Sequence, residues 1–153
     1  VRNHYIGRTF IQPKQSSREM GVKLKLNPVR DVVKGKSIVI IEDSIVRGTT
    51  SRARIKTLRD AGAKEIHMRV SCPPIISPCY FGIDFPSKEE LVANSSSVEE
   101  IRRMLGLDSL EYLSLEGMLK AMPVAGDRFC KACFTGVYPL KVKKYFNKGC
   151  YGE

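Results

Sequence analysis

The apolar positions of this chain change their period along its length, and each change marks an element. Ile38, Val39, Ile40 and Ile41 form a continuous β-branched run between Lys36 and Glu42, which predicts a strand buried on both faces, as in a parallel sheet covered by helices. Over 50–61, Ile55 and Leu58 share one side while Arg52, Arg54, Lys56 and Arg59 fall largely on the other. That stripe predicts a helix packed on the sheet, ended by Ala61-Gly62-Ala63. Ile66, Met68 and Val70 then alternate with polar residues as a second strand. Strand, helix and strand make a βαβ unit, whose right-handed crossover sets the two strands parallel. His67 falls in the polar register of the second strand, where a sheet residue needs no catalytic role.

The flanks are less regular. Residues 1–20 have no clean period and contain Gly7, Pro13, Ser16 and Ser17, so they read as one long loop, a lid or a disordered segment. Val22, Leu24 and Leu26 alternate until Asn27-Pro28, an edge strand or extended connector turning into the first strand. Downstream, Ser71 to Pro86 is proline-rich and irregular, carries Cys72 and Cys79, and leaves the second strand at the edge where open parallel sheets bind ligands. Ser87 with Glu90 and Ser97 with Glu100 have capping-box spacing and predict two helix starts. Gly106 stops the second helix, Leu110 to Leu115 reads as a short strand, and Glu116 to Met122 as a last helix. The expectation is an α/β, Rossmann-like parallel-sheet fold. Its parts are a loop and connector over 1–36, the sheet segment over 37–125, and an irregular cysteine-containing tail over 126–153.

Composition changes this picture in one respect. With 153 residues and 42% hydrophobic content the chain is ordinary globular material, it has no stretch long and apolar enough for a membrane span, and its start lacks the regions of a secretory signal. Beginning at Val1, it reads as an excised piece of a cytoplasmic protein. The net charge of +10 raises the question of nucleic acid. It is concentrated, however: residues 1–36 hold nine Lys and Arg against Glu19 and Asp31, and 126–153 hold six against Asp127 and Glu153. A basic arm of this kind binds RNA, or closes over a substrate rich in phosphate whose charge needs compensation. We prefer the second and expect no nucleic-acid partner.

The chemistry concentrates at 42–51. Glu42 and Asp43 end the first strand, and Ser44, Arg47, Gly48, Thr49, Thr50 and Ser51 follow before the helix. Glycine lets backbone amides approach a phosphate, the hydroxyls add donors, and a helix start points unpaired amides at an anion. Two carboxylates beside a phosphate cradle suit a sugar phosphate. The same string would also serve as a plain strand, turn and capped helix, because successive strand residues point to opposite faces.

Glu42-Asp43-Ser44-Ile45-Val46-Arg47-Gly48-Thr49-Thr50 resembles the phosphoribosyl pyrophosphate signature of type I phosphoribosyltransferases. With Tyr5-Ile6-Gly7-Arg8-Thr9-Phe10-Ile11-Gln12, Ser71-Cys72-Pro73-Pro74, Pro78-Cys79-Tyr80-Phe81-Gly82-Ile83-Asp84 and Cys130-Lys131-Ala132-Cys133-Phe134-Thr135-Gly136, nearly the whole chain resembles the glutamine phosphoribosylpyrophosphate amidotransferases. The resemblance implies a type I phosphoribosyltransferase fold lacking its first half and a glutaminase domain. It also implies transfer of ammonia from glutamine to phosphoribosyl pyrophosphate, the first committed step of purine synthesis, in a homo-oligomer. By the same resemblance Glu42 and Asp43 bind the ribose hydroxyls directly or through Mg2+, and Ser44, Arg47, Gly48, Thr49 and Thr50 hold the 5-phosphate. The arm is the mobile catalytic loop, with His4, Tyr5 and Arg8 its working residues. A regulator sensing phosphoribosyl pyrophosphate through the same fold is the alternative, and a stand-alone metal module leaves the cradle unexplained.

Five cysteines without a secretory signal argue against a disulfide framework, and Cys130-x-x-Cys133 has the gap of metal and iron-sulfur ligands. Members of the resembled family with a 4Fe-4S cluster place ligands at the positions of Cys79, Cys130 and Cys133, and a fourth upstream of Val1. That set predicts a tail folded back beside Pro78-Cys79-Tyr80. A clusterless set of thiols, or a zinc site completed by Cys72 or Cys150, stands beside it.

Overall fold

The computed structural model describes residues 28–124 and 128–141. Its strands are β1 (Ser37–Glu42), β2 (Glu65–Val70) and β3 (Ser109–Tyr112), in the order β1-β2-β3. The helices are α1 (Arg30–Val33), α2 (Thr49–Asp60), α3 (Val92–Ser95), α4 (Val98–Leu105), α5 (Leu115–Lys120) and α6 (Ala132–Thr135), with a 3-10 turn at Lys88–Glu90. Lys64 donates to the Lys36 carbonyl and Ser71 to that of Glu42; Asp108 donates to Ile66 and Leu113 to Val70. Both registers advance in the same direction, so the sheet is parallel.

β2 follows the expected alternation, with Ile66 and Met68 fully buried and Val70 nearly so. β1 corrects the expectation of burial on both faces. Val39 is 59% and Ile41 70% exposed, while Ile38 and Ile40 are half-covered. A β-branched run supplies strand propensity wherever it sits, but β1 lies at the edge of the sheet with one face open.

The chain falls into two compact units, which we take separately. In the first, described over 28–40, 48–68 and 102–110, the core is Val33, Ile55, Ala61, Ile66, Met68, Leu105, Leu107 and Leu110. Between Pro28 and β1 the chain makes the turn expected there. It forms the single turn α1, closed by Lys34 donating to Arg30 at 2.8 Å and pinned by buried Val33; one helical turn is too short to register as a period. α2 takes the expected span with Ile55 inward. His67 is a sheet residue, with Nδ1 2.8 Å from the Ser109 hydroxyl.

The second unit, described over 41–47, 69–101, 111–124 and 128–141, has Ile45, Val70, Ile75, Leu91, Ile101 and Ala132 as its core. One capping box forms: the Ser97 amide donates to Glu100 Oε2 at 2.7 Å, and the Glu100 amide to Ser97 Oγ at 3.3 Å. At Ser87 the side chain caps no amide, the Glu90 carboxylate meets Arg47, and a 3-10 turn stands in place of the expected helix start. β3 stops at Tyr112, since Ser114 caps α5 through the Gly117 amide at 3.0 Å. The tail, expected to be irregular, carries α6 across its C-x-x-C. The strand expected at Val22 to Leu26 and the loop over 1–20 lie outside the described residues.

Candidate functional site

β1 delivers Glu42 half-buried and Asp43 exposed at its carboxyl end. The Glu42 carbonyl accepts from the Ser71 amide at 2.9 Å, which ties the strand end to the start of the proline-rich segment. Ser44 Oγ donates to Asp43 Oδ1 at 3.0 Å, and next to it Ile45, 1% exposed, pegs the loop into its unit. Val46 and Arg47 are held from a distant segment: the Val92 amide donates to the Val46 carbonyl at 2.9 Å, and Arg47 Nε to Glu90 Oε2 at 2.6 Å.

At the opening of α2, Gly48 has φ 77°, a left-handed conformation that costs a residue with a side chain about 1–2 kcal/mol. It caps the helix without a side-chain hydrogen bond. The Gly48 carbonyl accepts the Arg52 amide at 2.8 Å, while Thr49 and Thr50 are exposed on the first turn. The first amides of a helix have no partner within it, so this end presents backbone donors and two hydroxyls.

The cysteine region is built by the tail. The Cys133 carbonyl accepts from the amides of Ile76 at 2.9 Å and Ser77 at 3.1 Å, and Tyr138 Oη donates to the Pro78 carbonyl at 2.8 Å. The Tyr138 ring lies 5.1 Å from that of Tyr80 and 6.2 Å from that of Phe81, within the range of favourable aromatic pairs. The tail therefore returns beside Pro78-Cys79-Tyr80, as expected. Burial, then the neighbouring Cys79 and Cys130, push the Cys133 thiol above its ordinary range. Burial, followed by Asp43 and Cys133, pushes that of Cys72 up to about 11. Cys72, Cys79, Cys130 and Cys133 are all free thiols. Among the described residues no three His, Cys, Asp or Glu side chains form a group that could hold a metal ion, so the thiols neighbour one another without a closed set of ligands.

Tyr5, Arg8, His4 and Cys150 lie outside the described residues. Glu90 and Tyr138 were not singled out from the sequence. Glu90 is hidden there by its capping-box spacing, and Tyr138 lies 60 positions from the carbonyl it holds.

No protein-family model matches the chain. An amidophosphoribosyltransferase of Archaeoglobus fulgidus is 58% identical over 144 residues, which cover 93% of this chain and 32% of that protein. Amidophosphoribosyltransferase 1, chloroplastic, of Arabidopsis thaliana is 55% identical over 92% of this chain and 25% of its own length. A solved glutamine phosphoribosylpyrophosphate amidotransferase of B. subtilis, complexed with ADP and GMP, superposes with a TM-score of 0.78 at 52% identity, over 95% of this chain and 33% of that one. The chain thus spans about a third or less of each of these proteins.

Proposed function

The chain is a homologue of the carboxyl-terminal part of the amidophosphoribosyltransferases, and we propose that its full-length protein carries out their reaction. Ammonia from glutamine displaces pyrophosphate from 5-phosphoribosyl 1-pyrophosphate to give 5-phosphoribosylamine, the first step of purine biosynthesis. The observation that carries this proposal is the loop itself: acids at a strand end, a buried peg at Ile45, and Gly48 in a left-handed conformation opening a helix with exposed threonines.

Ser44, Arg47, Gly48, Thr49 and Thr50 would hold the 5-phosphate through amides, hydroxyls and one guanidinium. Glu42 and Asp43 would take the ribose hydroxyls and face the positive charge that develops on the ring as pyrophosphate leaves. Two adjacent carboxylates also fit Mg2+, which uses one or two protein carboxylates and fills its other positions with water and substrate oxygens. When bound, Mg2+ would neutralise charge on the pyrophosphate. Tyr5 and Arg8 of the arm would close over the substrate and exclude water, whose attack competes with that of ammonia.

In the full-length protein, Asp43→Asn should lower kcat/KM by about a hundredfold, the scale of one lost electrostatic contact in a transition state. Its thermal midpoint should stay unchanged, since the site is exposed. Unaltered kinetics would remove Asp43 from the site.

We further propose a 4Fe-4S cluster on Cys79, Cys130 and Cys133 with a fourth ligand from elsewhere in the full-length protein. Soft thiols suit the cluster, and the tail is already folded onto the Cys79 segment. Iron and labile sulfide analysis of the full-length protein should give about four of each per chain; zinc without sulfide would reject the cluster. Free thiols suit a reducing compartment, which we take to be the cytoplasm, although the Arabidopsis relatives are named chloroplastic.

A further inference from the structure

Three consecutive residues of the 3-10 turn and its exit address the substrate loop or share its core. Glu90 receives Arg47 Nε at 2.6 Å, Leu91 is fully buried in the same unit as Ile45, and the Val92 amide holds the Val46 carbonyl at 2.9 Å. Glu90 stands at capping-box spacing from Ser87, whose side chain caps no amide and is bonded to Glu89, while the backbone bonds of Glu90 to Ser87 and Leu91 to Lys88 close the turn. The Glu90 carboxylate reaches the loop through Arg47.

The pair is surface-exposed, with 41% of the Arg47 and 50% of the Glu90 side chain accessible. Pairs of that kind add little to stability. What this one does add is direction. A guanidinium has five donors in a rigid fork, and one engaged at Nε keeps its two terminal nitrogens for a phosphate. An unanchored arginine would lose rotamer freedom on binding and weaken affinity accordingly.

We propose that Glu90 is a positioning residue for the substrate loop, acting through Arg47 to hold its guanidinium and the backbone before Gly48 in the conformation that receives the 5-phosphate. This rests on the loop being the phosphoribosyl pyrophosphate site. In the full-length enzyme, Glu90→Ala should raise KM for phosphoribosyl pyrophosphate about two- to fivefold, the scale of one exposed charge pair, with kcat unchanged. Glu90→Gln, which keeps an acceptor, should recover part of that rise. In an Arg47→Ala background, Glu90→Ala should add nothing, because two residues acting as a unit are non-additive.

A lower KM in Glu90→Ala would mean that the carboxylate restrains Arg47 from the phosphate, and would overturn the proposal. So would an unchanged KM, or a rise that persists in the Arg47→Ala background. Asp43→Asn in the same assay separates the layers. If it too leaves the kinetics unaltered, the loop is not the substrate site; if it acts and Glu90→Ala does not, the positioning role alone falls.

Discussion

Among the described residues, the proposed substrate loop and the cysteine region both gather candidate chemical groups, and they are assembled in opposite ways. Glu42, Asp43, Ser44, Arg47, Gly48, Thr49 and Thr50 lie within nine consecutive positions, so the order strand, turn, helix sets their sequence of presentation before any tertiary contact forms. Cys79 and Cys130 are 51 positions apart. They share a neighbourhood only because the Cys133 carbonyl takes the Ile76 and Ser77 amides and Tyr138 reaches the Pro78 carbonyl. A contiguous site needs support from elsewhere to be stable; a dispersed site needs it to exist.

The contrast is strongest if the loop is self-sufficient, and Leu91 tests that. Leu91→Ala empties a fully buried position beside the two residues that grip the loop, and should cost about 2–5 kcal/mol in urea denaturation. A cost below about 1 kcal/mol, the range of surface substitutions, would show that the loop's unit does not depend on this peg and would widen the difference between the two regions.

The cysteine region should betray its burial chemically. The Cys72 thiol, raised by burial and then by Asp43 and Cys133 from 9.0 to about 11, should be alkylated at pH 8 about a hundredfold more slowly than an ordinary thiol, since each pKa unit removes tenfold of the thiolate. Exposed Cys130 should react first. Because the folded pKa lies above the unfolded value, the stability linked to Cys72 is complete below pH 9.0 and is lost as the pH rises toward 11. Equal labelling of Cys72 and Cys130, followed by mass spectrometry, would mean that Cys72 is not covered in the folded chain.

A smaller effect should follow from one hydroxyl. Tyr138→Phe keeps the ring against Tyr80 and Phe81 but leaves the Pro78 carbonyl without its donor and the buried Ser77 hydroxyl without its phenol partner; the expected loss is about 1 kcal/mol for each bond, read as faster labelling of Cys133 with Cys72 unaffected. Labelling of Cys133 at the wild-type rate would show that the backbone bonds from Ile76 and Ser77 alone carry the tail.

Legibility follows the same division. α2, β2 and the Ser97 box are readable because their determinants are local: a helical stripe, a strict alternation, a serine three residues before a glutamate. The Ser87 box carries the same local signal, yet a 3-10 turn forms there and Glu90 meets Arg47, 43 positions away. α1 and α6, of four residues each, are too short for a period to show.

By itself, then, the amino-acid sequence determined the strands and the longer helices, that the sheet is parallel through its βαβ order, and where acids, glycine and hydroxyls gather on one loop. Local propensity and connectivity act over a few residues and are written in neighbouring letters. Only the tertiary structure decided that Val39 and Ile41 stay open on an edge strand, in a chain that spans a third of its relatives. It alone decided that Glu90 meets Arg47, and that the tail returns to the Cys79 segment. Burial and pairing of that kind depend on which surfaces meet after the chain has folded, and no run of neighbouring residues encodes the meeting.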